Sequence, residues 1–135
     1  YCESGNQFHK KQIKTDDLGS LHLEMEGGVQ ISHIASWSRP KSFQTWGDVT
    51  IEFVGTNGVL NVDAFNQKIN VYDDKAMRNE WAYYGDNPDL GLVADFVDAV
   101  THRRAPAVTG EDGLRAVEVT VAAYNSVRAG KMVAV

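Results

Sequence analysis

The sequence predicts an α+β domain: an antiparallel-dominated open sheet with two C-terminal helices packed on one face. Three observations carry this. Short alternating segments joined by glycine-rich turns fill residues 18–84, and helical periodicity with start and stop signals fills residues 88–130. The links between strands are also too short for the crossover helices that a parallel sheet needs. At 135 residues, 43% hydrophobic and 23% charged, the chain has an ordinary globular composition and enough length for a core, so residues 1–135 read as a single domain.

The first clear strand runs from Leu18 to Met25, where Leu21, Leu23 and Met25 alternate with His22 and Glu24. Gly27-Gly28 follows, and Val29 to Trp37 is the return strand. A loop of Glu26-Gly27-Gly28 sets Met25 against Val29 and Leu23 against Ile31, which keeps the apolar residues on one face; a two-residue loop would scatter them. After the polar stretch Ser38-Arg39-Pro40-Lys41-Ser42, Val49 to Val54 forms a third strand with Val49, Ile51 and Phe53 on one side. Thr56-Asn57-Gly58-Val59 is a strong turn signal, because Asn-Gly supplies the positive φ angles of a type I′ hairpin. A two-residue loop there pairs Phe53 with Val62 and Ile51 with Ala64. Shorter strands are expected near Lys68 to Tyr72 and Glu80 to Tyr84, with Asp16-Asp17 and Asp73-Asp74 in loops.

The character then changes. Asp86-Asn87-Pro88-Asp89 combines a capping residue, a proline suited to the first helical turn and an acid at the positive end of the helix. Val93, Phe96, Val97 and Val100 recur at helical spacing, Arg103-Arg104 sit on the last turn and Pro106 stops the helix. Thr109 caps a second helix, with Asp112 at the capping-box position. Leu114, Val117, Val121 and Tyr124 form its apolar stripe, Gly130 is its C-cap, and Lys131 to Val135 is a short strand or tail. The uncovered sheet face is expected to mediate self-association.

Several function classes are excluded. A net charge of −5, with basic residues clustered only around Lys10-Lys11-Lys14 and Arg103-Arg104, argues against a nucleic-acid surface. No apolar run approaches a membrane span. The single cysteine, Cys2, allows no internal disulfide and fits a reducing compartment, so a cytoplasmic location is expected. Cys2 itself reads as part of a frayed end without an activating base. The chain opens on Tyr1, as a processed chain or a fragment would.

Chemical motifs are sparse. The four histidines, His9, His22, His33 and His102, lack zinc-motif spacing and have no cysteine set beside them, so no metal site is expected. No G-x-S-x-G elbow is present. Gly55-Thr56-Asn57-Gly58 leads into a strand rather than a helix, and Gly110-Glu111-Asp112-Gly113 opens a helix with two acids that repel phosphate. No catalytic and no cofactor-binding residues are therefore assigned. One segment suits a polyol: Trp37, Arg39 and Trp46, in Ser36-Trp37-Ser38-Arg39-Pro40 and Trp46-Gly47-Asp48, offer indole faces for sugar C–H surfaces and a guanidinium for hydroxyls. A tryptophan-anchored loop over the sheet edge is the other reading of the same residues.

Taken in order, Gly55-Thr56-Asn57-Gly58-Val59-Leu60, Asp95-Phe96-Val97-Asp98-Ala99-Val100, Pro106-Ala107-Val108-Thr109-Gly110-Glu111-Asp112-Gly113-Leu114-Arg115-Ala116, Ala122-Ala123-Tyr124-Asn125-Ser126 and Gly130-Lys131-Met132-Val133 resemble the C-terminal domain of the glucose–fructose oxidoreductase / inositol dehydrogenase / rhizopine catabolism (Gfo/Idh/MocA) superfamily. The resemblance implies a parent enzyme that transfers hydride between a sugar or polyol CH–OH and NAD or NADP, with a Rossmann domain preceding this region. It further implies that this domain helps to bind substrate and forms homo-oligomers. The family's Glu-Lys-Pro motif and its glycine-rich cofactor loop are not found among these residues, and none of its catalytic or cofactor residues is carried over. The chain is thus expected to bind no cofactor and to be inactive alone. Its rival is a stand-alone carbohydrate- or protein-binding oligomerisation module; an independent enzyme built on His22 and His33 is a distant third.

Overall fold

The computed structural model describes residues 1–43 and 47–135. Its elements are β1 (Cys2–Gly5), β2 (Leu18–Glu24), β3 (Gln30–Ser36), β4 (Thr50–Gly55), β5 (Gly58–Asp63), β6 (Lys68–Asp73), β7 (Arg78–Tyr83), α1 (Pro88–His102) and α2 (Gly110–Ala129). Every strand pair is antiparallel and both helices follow the strands, which is the α+β arrangement expected. The strands divide between two sheets, β1-β2-β3 and β4-β5-β6-β7. Contacts cluster into two compact units, residues 1–40 with 104–135, and residues 41–103.

In the first unit the β2–β3 hairpin adopts the register that keeps apolar residues together. Leu23 pairs with Ile31, and the Met25 amide donates to the Val29 carbonyl at 2.9 Å. Gly27 and Gly28 both take positive φ (88° and 83°), which explains the glycine pair between these strands. Residues 2–5 are not a frayed end: they form β1 along β2, and Cys2 is buried. This strand escapes sequence reading because Cys-Glu-Ser-Gly has no apolar alternation and holds its place through non-local bonds.

Helix α2 packs against β1. Its ends follow the sequence closely: Thr109 and Asp112 make a reciprocal capping box, and Gly130 closes the helix in the left-handed region at φ 62°. The buried face differs from expectation. Leu114, Val117, Val121 and Tyr124 are exposed, while Ala122 and Ser126 are buried. The reason is local geometry. The Ser126 hydroxyl accepts the Cys2 amide at 3.0 Å and donates to the Lys131 carbonyl at 2.6 Å, and Ala122, one turn earlier, permits the close approach this requires. Residues beyond Lys131 form a tail.

The second unit contains a four-strand meander. The tight turn between β4 and β5 is Thr56-Asn57, not Asn57-Gly58, so Phe53 pairs with Leu60 and Ile51 with Val62. The two-residue shift keeps the same face. Its cause lies at Gly58, which pairs with Gly55 and, on its other side, comes so close to β6 that an added Cβ would overlap the Tyr72 carbonyl oxygen. The next two turns share one design. Asp63 Oδ1 accepts the Asn66 amide at 3.0 Å and Asp73 Oδ1 the Ala76 amide at 2.9 Å, after which Gln67 and Met77 take positive φ and the next strand begins. Across the sheet Ile51, Phe53, Leu60, Val62, Ile69 and Val71 share one face by register.

Helix α1 is capped by Asn87, whose side chain accepts the amides of Asp89 and Leu90, with Pro88 in the first turn. It ends at Arg103, in the left-handed region. The spacing residues Val93, Phe96, Val97 and Val100 are exposed, and Ala99 is the buried one. Among the described residues, no helix is long and apolar enough to cross a membrane.

Two glycines separate conformational need from chance. Gly58→Ala is expected to destabilise the fold by about 3 kcal/mol, since neither backbone can yield without breaking the β5–β6 ladder. Gly113→Ala, in α2 with nothing within 4 Å of an added Cβ, is expected to stabilise it by about 0.5–1 kcal/mol. Urea denaturation of both variants measures the contrast.

Candidate functional site

The loop joining β1 to β2 is organised by one carboxylate. Asp17 is 1% exposed. Its Oδ1 accepts the Gln7 amide at 2.7 Å, and its Oδ2 accepts the amides of Phe8 and His9 at 2.8 Å each. His9 Nδ1 lies 3.1 Å from the same Oδ2. The Asp17 amide in turn donates to Gly5 O at 3.1 Å, closing the loop where β1 and β2 begin to pair. Burial alone would raise this carboxyl, but the three amides and the imidazole outweigh it and hold the group down at about 2.

This carboxylate fixes an aromatic pair. With Nδ1 held by Asp17, the His9 ring stacks on Trp37 at a centroid distance of 5.9 Å and an interplanar angle of 21°. Trp37 is tied a second time, its Nε1 donating to the Asp16 carbonyl at 3.1 Å, yet the side chain remains 61% exposed. Ser38 Oγ stands 3.4 Å from His9 Nδ1. That is the nitrogen already facing Asp17, whereas a hydrolytic triad needs serine and acid on opposite nitrogens. The Asp17–His9–Ser38 group is therefore not a nucleophilic triad.

Trp37 forms part of the wall of a cavity of about 410 Å³ within the first unit, with Asp16, Leu18, Leu21, His33 and Tyr124 among the other lining residues. This is the size range of small-molecule sites. The cavity follows from the helix packing, because the small residues of α2 that approach β1 leave Tyr124 and Thr120 beside the space. Asp16 accepts a hydrogen bond from Ser4 Oγ at 3.1 Å.

Of the three residues singled out from sequence, Trp37 lines the cavity. Arg39 is exposed and not among the lining residues, and Trp46 lies outside the described residues. Sequence reasoning missed His9, Asp16 and Asp17. Asp17 meets its amide donors from eight to ten positions away through a loop without a local motif, so no spacing rule reveals it. His22 pairs with Ser32 in the hairpin and bonds its hydroxyl through Nδ1 at 3.2 Å, while His33 pairs with Leu21. The two imidazoles are thus not opposed. Among the described residues no three His, Cys, Asp or Glu side chains are grouped to hold a metal ion.

Residues 2–135 match the model of an oxidoreductase family's C-terminal alpha/beta domain. No curated protein and no solved structure matches the chain.

Asp17 makes a test of acid stability. Its folded value is depressed from 3.8 to about 2, so its contribution is complete above the unfolded value and is lost as pH falls toward 2. Asp63 and Asp112, also held low by hydrogen bonds, add to the same slope. The wild type is expected to lose stability between about pH 4 and pH 2, and Asp17→Asn to be less stable at neutral pH with a shallower acid slope, measured by thermal melts across that range.

Proposed function

The chain belongs to the Gfo/Idh/MocA oxidoreductase family as its C-terminal alpha/beta domain, and from that premise we propose that it is the substrate-binding and oligomerisation part of an NAD(P)-dependent enzyme acting on CH–OH groups of a sugar or polyol. The observation that carries the substrate reading is Trp37. An exposed indole held by the Asp16 carbonyl and by the His9 ring is a preformed stacking surface, and it stands on the wall of a cavity supplied with hydroxyl, imidazole and carboxylate groups. Sugars present apolar C–H faces and hydroxyl edges, which such a surface can bind without first ordering the side chain.

The residues here do not fit the nicotinamide cofactor. Pyrophosphate is held by free amides at a helix N-terminus. At α2 that end is closed by the Asp112 carboxylate, which accepts the Thr109 amide at 2.7 Å, with Glu111 beside it. At α1 the Asn87 side chain occupies the amides of Asp89 and Leu90. Cofactor binding and hydride transfer are therefore assigned to residues outside 1–135.

Self-association is proposed through the apolar face of the β4–β7 sheet. Ile51 and Phe53 are 46% and 55% exposed there, in line with Leu60 and Val62 on β5. Burying such a face against a second copy is favourable by roughly 25 cal/mol per Å².

Calorimetric titration of the chain with polyols is expected to show binding that Trp37→Ala weakens about tenfold, or about 1.4 kcal/mol. Equal affinity in the variant would remove Trp37 from the site. Residues 1–135 alone are expected to give no turnover with NAD or NADP and any sugar; steady reduction of either cofactor would overturn the division of labour. Sedimentation equilibrium should show association at high concentration that Phe53→Asp abolishes.

A further inference from the structure

We propose that the cavity beside Trp37 selects uncharged polyhydroxy ligands over their phosphate esters and carboxylic-acid derivatives, and that Asp16 is the residue setting this specificity. The inference rests on the reading of this cavity as the substrate site.

The charge distribution of the wall points this way. No lysine or arginine is among the described residues lining the cavity, and His33 is the one side chain there able to carry a positive charge. Two carboxylates, Asp16 and Asp17, belong to the wall. They differ in what they offer a ligand. Asp17 is saturated by three amides and His9 and is sealed from solvent. Asp16 is only half-buried; its Oδ2 accepts the Ser4 hydroxyl, and its Oδ1 has no hydrogen-bond partner among the described residues. A carboxylate oxygen accepts from hydroxyls and repels anions. A neutral polyol thus gains a charge-assisted hydrogen bond where a phosphate ester, carrying nearly two negative charges, meets repulsion at short range.

Cys2, another lining residue, has its thiol held above the ordinary cysteine range chiefly by burial; Asp16 and Glu3 push in the same direction, against the larger opposing effect of the terminal ammonium. The basic residues of the neighbouring segments, Lys10, Lys11, Lys14 and Arg39, are exposed and are not part of the wall.

The test is a titration of the chain at pH 8 with matched probes: glucitol and myo-inositol, glucitol 6-phosphate and inositol monophosphate, and gluconate. At low ionic strength the charged members are expected to bind about tenfold more weakly than their neutral parents. Asp16→Asn should bring each pair to within about twofold. In the wild type, raising the salt concentration should narrow the gap, because only the electrostatic part is screened; this arm does not depend on the variant folding. Phosphate esters that bind as tightly as the polyols, or a gap unchanged by both Asp16→Asn and salt, would overturn the selectivity while leaving the substrate site in place. Binding of none of the probes would overturn the substrate-site reading and the inference with it.

Discussion

The buried Asp17 carboxylate is the interaction on which the first unit depends. Three consecutive amides, from Gln7, Phe8 and His9, converge on its two oxygens, and these donors would otherwise be stranded in a loop with no ladder to pair them. A neutral group of the same shape could not accept from all of them. The carboxylate thereby fixes the path of the chain between β1 and β2, sets His9 at its place, and through His9 sets the plane of Trp37. A single desolvated charge, fully hydrogen-bonded, thus converts a loop rich in lysine and polar residues into a rigid support for an exposed aromatic ring.

The second organising contact is smaller. Ser126 takes the Cys2 amide and gives its own proton to Lys131 O, so that one hydroxyl ties β1, α2 and the tail together. Because this contact demands a short helix-to-strand distance, the helix turns Ala122 and Ser126 inward and leaves its larger side chains at the flanks. Tyr124 then faces the cavity rather than filling a core. The space available for a ligand and the choice of small residues on α2 are two consequences of one packing decision.

Much of the architecture was legible because it is local. Asn87, Thr109 with Asp112, and Gly130 cap their helices as read, since a cap needs only the residues within one turn. The β2–β3 register follows from alternation alone, because the other pairing would turn apolar residues to the wrong face. The β4–β5 turn shows the limit of such reasoning. Asn-Gly is a sound hairpin signal, but the position of Gly58 is decided by the approach of β6, a strand ten residues further on, which displaces the turn to Thr56-Asn57.

The sequence by itself determined the ends of both helices, the approximate places of six of the seven strands, the α+β order, the family and one of the cavity's aromatic residues, Trp37. All of these depend on short-range pattern, whose physics is contained in neighbouring residues. Only the tertiary structure decided that residues 2–5 form a strand, that α2 buries alanine and serine rather than leucine and valine, and that Asp17, His9 and Trp37 form one unit beside Asp16. Each of those outcomes turns on where a buried donor finds its acceptor across the fold, and a polar residue in a loop has no periodicity that announces its partner.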